Sequence, residues 1–215
     1  TRSALPENGL TATWELEGLP PGQRVHYRVR SQDLSDLRRW SEPALGSFVS
    51  PPIDRRTITL AWSADCVGQG WGINDAWGGL RMFETIRRLQ PDAFLHLGDT
   101  IYADQPLEPM VTLDDGTIWR NLVTPAKGKV AETLDEFRGN YLYNLSDANV
   151  RRFNAEIGQV VTWDDHEVLN NWSHTLRLDA DPRFAEKSVP LLAARAEKAF
   201  LEHVPFRAHG PDPER

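Results

Sequence analysis

The chain has 215 residues, of which 26% are charged and 40% hydrophobic, a balance typical of a globular protein and not of a disordered one. The net charge is −7 and the lysines and arginines are scattered, so the sequence offers no basic stripe for a nucleic-acid backbone. No apolar run is long enough to span a membrane, and residues 1–20 lack the pattern of a signal peptide.

Residues 1–50 differ in character from the rest of the chain and indicate strands joined by turns. Residues 10–16 and 24–30 alternate between apolar and polar side chains, and residues 41–50 supply a third strand that ends at a Pro-Pro pair. Three strands resemble part of a fibronectin-III-like or immunoglobulin-like sandwich, which normally has about seven. We therefore predict a partial β-sandwich module over residues 1–50, followed by a linker over residues 51–56.

Three short apolar runs in the remainder indicate one mainly parallel sheet, and hence an α/β fold. Residues 57–61, 92–97 and 157–162 are predicted strands. Crossover connections between such strands place ligand-binding groups at the carboxyl ends of the strands. The connecting elements are predicted as a helix over 79–90, an irregular insert over 103–130, helices over 134–145 and 146–155, and a last helix over 189–203.

Each of these apolar runs ends in an acidic cluster. Asp65 follows the first run, Asp99 the second, and the pair Asp164-Asp165 the third. Clustered carboxylates raise one another's pKa unless a cation neutralises them, and two or more metal ions would do so. The alternative is that Asp99 only forms a turn and that Asp164-Asp165 only caps a helix. The ordered recurrence of the clusters at strand ends favours a metal site.

A thiol and a phenol accompany the carboxylates. Cys66 follows Asp65 directly, and Tyr102 lies close after Asp99; these two ligand types suggest a stronger Lewis acid such as iron. Cys66 is the single cysteine of the chain, which rules out an internal disulfide. A free cysteine is usually a small buried hydrophobe, but its position at a strand end favours ligation. The glycine-rich loop 68–72 either cradles a phosphate or is a plain loop, and it is no nucleotide P-loop.

These segments resemble the motifs of the calcineurin-like metallophosphoesterases, and more closely those of the PhoD-like (alkaline phosphatase D) family. The resemblance is carried by residues 65–72, 98–102 and 163–171, and the last segment, WDDHEVLNN, is long and specific. It covers about residues 10–207. It implies a layered metallophosphoesterase sandwich, present here in part and preceded by the β-module.

The resemblance also implies roles for individual residues. Asp65 and Cys66 match metal ligands, with Cys66 resembling a ligand of iron. Asp99 matches an aspartate that bridges the metals, and Tyr102 matches a tyrosine that binds ferric iron as tyrosinate. Asp165 matches a ligand of the second metal. The implied cofactors are thus two or more metal ions, iron together with calcium.

The catalytic residue implied by the resemblance is His166, which matches a histidine that contacts the phosphate or protonates the leaving group. The residues predicted to orient the ligands or the substrate are Asp164, Glu167 and Asn170. The implied reaction is attack of a metal-bound hydroxide on the phosphorus of a small phosphate ester. The family is largely exported across the bacterial inner membrane, so export is also expected.

The sequence departs from the family pattern after Asn171, where no Gly-Asp-x-His-type segment follows and where His203 and His209 lie in other contexts. We therefore expect a chain truncated at both ends, with residues 57–215 forming the N-terminal part of a phosphatase domain. Two functions are compatible with this expectation. The first is a metal-dependent phosphoric ester hydrolase of the alkaline phosphatase or phosphodiesterase type. The alternative is a catalytically incomplete fragment with a binding or structural role.

Overall fold

A computed structural model of the protein describes residues 1–205; His209 and the end of the predicted segment 57–215 lie outside the described residues. Within residues 1–205, no helix is both long enough and apolar enough to cross a membrane. The strands and α-helices are, in chain order, β1 (Arg24–Val29), β2 (Ala44–Val49), β3 (Leu60–Ser63), α1 (Arg81–Leu89), β4 (Ala93–His96), β5 (Met110–Thr112), β6 (Ile118–Arg120), α2 (Leu134–Ser146), α3 (Ala148–Glu156), β7 (Gln159–Val161) and α4 (Val189–His203).

Strands β3, β4 and β7 form a parallel sheet with β4 in the centre. The predicted α/β architecture with parallel strands is therefore confirmed. β3 begins later than the predicted strand, because its ladder with β4 starts where Leu60 pairs with Ala93. The preceding residue, Thr59, instead donates its N–H to the carboxylate of Asp92 at 2.8 Å.

Helices α1 and α3 cover one face of this sheet. Phe94 of β4 is 1% exposed and packs edge-on against Phe153 of α3, with ring centroids 5.1 Å apart, while Ile86 of α1 completes the cluster. Burying a side chain of this size contributes about 1.5–3 kcal/mol to folding. Asp147 caps α3 as the sequence predicts, because its carboxylate accepts the N–H of Asn149 at 2.7 Å.

A larger apolar core lies between α2 and α4. It includes the fully buried side chains of Phe137 on α2 and Leu192 on α4, and α4 has Pro190 in its first turn as predicted. Ile101 and Val168 belong to the same core, although they come from the loops that follow β4 and β7. The core therefore anchors the two loops that carry the second and third acidic clusters.

The N-terminal segment does not form the predicted three strands. β1 and β2 pair antiparallel, but residues 10–16 are not a strand, so that part of the prediction is wrong. An alternating pattern makes a strand only where a partner strand is available, and Leu10 has a φ of 59°, which interrupts an extended chain. The hairpin packs on α3, where the Tyr27 hydroxyl donates to the carbonyl of Ala155 at 3.1 Å. The fibronectin-III-like module and the division into module, linker and phosphatase part stay predictions.

The insert after β4, predicted to be irregular, contains the short hairpin of β5 and β6. The insert holds the glycine-rich loop 68–72 in place through side-chain hydrogen bonds. The N–H of Gly72 donates to the side chain of Asn121 at 2.8 Å, and that of Gln69 donates to the side chain of Gln105 at 2.6 Å. These two amides are not free to cradle a phosphate, which favours the plain-loop alternative.

Candidate metal centre

The loops that follow β3, β4 and β7 meet at the carboxyl edge of the sheet. The N–H of Cys66 donates to the carbonyl of Asp99 at 2.9 Å, which joins the first loop to the second. Gly98 packs against Asp164 so closely that a Cβ atom would collide with it, and its φ of 98° suits glycine. The third loop is thereby held against the second, so the three acidic clusters lie together.

The backbone of the first two loops is strained. Asp65, Val67 and Asp99 have φ values of 60°, 62° and 50°, in the left-handed region. Residues with a Cβ atom rarely adopt this region, and for a β-branched valine it is an outlier that costs about 1–3 kcal/mol. Strain of this kind persists only where surrounding contacts hold it, and it concentrates at functional sites.

Three potential metal ligands converge at this edge. One donor atom each of Asp99, Asp165 and His166 lies within 4.8 Å of the others. Burial raises the pKa of Asp99 to about 6; the N–H of His166 opposes this shift, and the negative charges of Asp165 and Asp164 add to it. The folded chain therefore concentrates negative charge that a cation would relieve. Carboxylate and imidazole donors at this spacing fit a metal ion.

Tyr102 brings Asp65 to the same place. Its hydroxyl hydrogen-bonds the carboxylate of Asp65, and its ring stacks on that of His166 with centroids 4.2 Å apart. Burial, followed by the bond to Asp65, raises the pKa of the Tyr102 phenol well above its usual range. Without a cation the phenol is thus protonated, and the predicted tyrosinate would require one.

Cys66 lies in an apolar environment. Its side chain is buried in a cluster that includes Ile73, Leu107 and Tyr143. Burial raises the pKa of the thiol to about 12, although the positive charge of Lys127 opposes that shift. Cys66 does not belong to the group of converging ligand atoms found within the described residues. Its assignment as an iron ligand stays a prediction.

His166 is oriented by a carboxylate that the sequence argument missed. Nδ1 of His166 lies 2.7 Å from Oδ1 of Asp104, whose side chain is almost fully buried. The other oxygen of Asp104 accepts the main-chain N–H of Asn170 at 3.0 Å. The predicted supporting residue Asn170 therefore acts here through its backbone, and its side chain is exposed. A search for an acidic partner of His166 near Tyr102 would have found Asp104, because an imidazole at a metal site commonly bonds a carboxylate.

Glu167 ties the second loop to the third. Its side chain is fully buried; Oε2 accepts the N–H groups of Asp99 (3.1 Å) and Asp164 (2.7 Å). Oε1 accepts the N–H (2.6 Å) and the hydroxyl (2.5 Å) of Thr100. Asp164 also caps the short 3-10 turn after it by accepting the N–H of Asp165 at 2.9 Å. Glu167 thus supports the ligands through the backbone that carries them.

His96 is a buried neutral imidazole at the end of β4, and it was not predicted as a site residue. Its side chain is 5% exposed, and Nδ1 has no hydrogen-bond partner among the described residues. Burial lowers the pKa of His96 to about 4. Because the folded-state pKa lies below the unfolded value of about 6.5, the folded chain loses stability as the pH falls from 6.5 towards 4.

Replacing His96 by leucine is expected to reduce this acid sensitivity. The free energy of unfolding is measured by urea titration at pH 7 and at pH 4.5, with a chelator present. From pH 7 to pH 4.5 it should decrease by up to about 3 kcal/mol less in the variant than in the wild type. His26 is exposed on β1 and provides the matched control, since His26→Leu should keep the wild-type pH dependence. An unchanged pH dependence in His96→Leu would show that His96 does not titrate as its burial requires.

The comparison with known proteins defines the class of protein. The family profile of PhoD-like phosphatases matches residues 60–215, and the chain belongs to this family. The predicted resemblance to the PhoD-like family is thereby confirmed.

A curated relative and a solved structure narrow the comparison. The chain is 28% identical, over 218 aligned residues and 99% of its length, to alkaline phosphatase D of Bacillus subtilis (strain 168). It is also similar to a solved structure of PhoD, with a TM-score of 0.67 and 26% identity over 97% of the chain. The chain spans 33% of the length of the curated relative and 37% of the chain in the solved structure.

Proposed function

We propose that the protein is a metal-dependent phosphoric ester hydrolase of the alkaline phosphatase or phosphodiesterase type. The observation that carries the proposal is the convergence of Asp99, Asp165 and His166 within 4.8 Å at the carboxyl edge of a parallel sheet. Membership of the PhoD-like phosphatase family supports the choice of reaction. The substrate would be a small phosphate ester.

The residues proposed to hold metal are Asp65, Cys66, Asp99, Tyr102 and Asp165. The raised pKa of Asp99 supports this role, because its cause is burial together with neighbouring negative charge that a cation would offset. The bond between Tyr102 and Asp65 supports it as well, because it brings a phenol oxygen and a carboxylate oxygen together where a cation could bind both. Bound metal ions would supply positive charge that polarises the phosphoryl group and activates water. Their proposed identity is iron with calcium.

The proposed catalytic role of His166 follows from how its ring is held. The Asp104 carboxylate accepts the hydrogen bond of Nδ1–H, and Tyr102 fixes the plane of the ring by stacking. Nε2 is therefore the nitrogen left for the substrate. In its doubly protonated form, His166 can contact the phosphate through Nε2–H or give that proton to the leaving oxygen as the ester bond breaks. Glu167 and Asp164 would keep the loops in register during this step.

Metal content tests the proposal. The purified chain, dialysed at pH 7.5, is expected to retain one or more metal ions in elemental mass spectrometry. Dialysis at pH 5 should lower the metal content, because the pKa of Asp99 is raised to about 6 in the metal-free chain and protons then compete with a cation for this carboxylate. A folded chain that holds no metal at pH 7.5 would contradict the proposal and favour the incomplete fragment.

We also propose that the full-length protein is exported. The family resemblance motivates this proposal, and cell fractionation tests it: recovery of the protein only in the cytosolic fraction would contradict it.

A further inference from the structure

Lys127 is a buried lysine that holds the loop carrying Tyr102 and Asp104. It ends the 3-10 turn Pro125–Lys127, and only 2% of it is exposed. Its ammonium donates to the carbonyl of Tyr102 at 2.9 Å, while its own carbonyl accepts the N–H of Leu107 at 2.7 Å. Lys127 therefore binds this loop at two points, one on each side of Asp104.

Burying an ammonium group requires a compensating negative charge. Burial lowers the pKa of Lys127 to about 8, and the negative charge of Asp104 is the main effect that opposes this shift. Asp104 is itself 2% exposed, and its two oxygens are bonded to His166 and to the N–H of Asn170. The charge of Asp104 thus favours the ammonium form of Lys127, although the two side chains form no direct ion pair among the described residues.

We propose that Lys127 is a positioning residue for His166. Its ammonium fixes the backbone at Tyr102 and balances the charge of Asp104, so that Asp104 stays in place to orient the imidazole. This inference rests on the proposed function, because it assumes that His166 acts on the substrate. The alternative is that Lys127 only stabilises the fold.

The test uses the full-length phosphatase and four variants: Lys127→Met, Lys129→Met, Asp104→Asn and the double variant Lys127→Met/Asp104→Asn. Lys129 is the matched control, because it lies two positions away and pairs with Glu132 and Glu136 at the surface. Lys127→Met should lower kcat roughly 10- to 100-fold and change KM by less than about threefold. The loss in kcat should be larger for an alkyl phosphate than for 4-nitrophenyl phosphate, because the 4-nitrophenolate leaving group needs no proton from a general acid. Lys129→Met should leave both constants within about twofold of wild type.

The double variant separates positioning from stability. If Lys127 acts through Asp104, Lys127→Met should lower kcat by less than about threefold once Asp104 is already asparagine. Fully multiplicative losses would overturn the inference. So would a Lys127→Met enzyme with normal kcat and a lower melting temperature, since that is the result of a purely structural role. An Asp104→Asn enzyme with normal kcat would instead contradict the proposed role of His166.

A second measurement does not depend on turnover. The Nδ1–H proton of His166, assigned by its loss in Asp104→Asn, should give a downfield NMR signal that broadens or shifts in Lys127→Met and is unchanged in Lys129→Met. If Lys127→Met does not fold, Lys127→Gln keeps a donor without the charge and is expected to show the same spectral change. An unperturbed signal in the folded variant would overturn the inference.

Discussion

Under the proposed function, replacing Asp99 by asparagine is expected to abolish phosphatase activity of the full-length protein and to weaken metal binding. The carboxylate of Asp99 lies beside the carboxylate of Asp165 and the imidazole of His166, and it also accepts the main-chain N–H of His166 at 3.1 Å. Removing its charge would leave the ion with one anionic ligand fewer, because the amide oxygen of asparagine is a neutral and weaker ligand. We expect a loss of about a thousandfold or more in kcat/KM, equivalent to roughly 4 kcal/mol of transition-state stabilisation.

Asparagine tests the role of the Asp99 charge more specifically than alanine does. Asp99 has a φ of 50°, a conformation that asparagine adopts readily and alanine does not, so Asp99→Asn removes the charge without adding backbone strain. Asp114→Asn, on an exposed turn of the β5–β6 hairpin, is the matched control and should retain wild-type activity and metal content. Undiminished activity in Asp99→Asn would remove Asp99 from the metal site.

The convergence of the three acidic clusters could be predicted because it depends on short-range patterns. Parallel strands share a carboxyl edge, so three apolar runs that each end in an acidic residue had to bring Asp65, Asp99 and Asp165 towards one place. The register of the strands did not matter for this conclusion. Strand β3 begins later than predicted, yet the order of the clusters along the edge is unaffected.

The supporting residues could not be found in this way, because their burial depends on contacts distant in the sequence. Asp104 and Lys127 lie in the predicted irregular insert, where charged residues are normally exposed, and Asp104 reaches His166 across 62 positions. The surroundings of Cys66 are likewise set by Leu107 and Tyr143 from later segments. The prediction for residues 10–16 failed for the same reason: their alternating pattern predicts a strand, but no partner strand among the described residues lies beside them to pair with.

The second large effect is expected for Glu167→Gln, which should destabilise the metal-free chain by about 2–4 kcal/mol in urea titration. The two oxygens of Glu167 accept from four donors on Asp99, Thr100 and Asp164. A glutamine amide of the same shape must turn its NH₂ group towards one pair of these donors, so at least one buried N–H loses its acceptor, at about 1–3 kcal/mol each. Glu108→Gln, at an exposed position, should cost less than about 0.5 kcal/mol.

Glu167 is expected to affect metal binding as well, although it is not proposed as a ligand. Its bonds hold the backbone of Asp99 against that of Asp164, and so fix the distance between the second and third loops. Loosening this support should weaken metal affinity roughly 10- to 100-fold, as loss of residues behind metal ligands typically does. Metal titrations of Glu167→Gln and Glu108→Gln at equal folded concentration measure this effect. An unchanged affinity in a destabilised Glu167→Gln chain would mean that the ligands are held by the apolar core around Ile101 and Val168 instead.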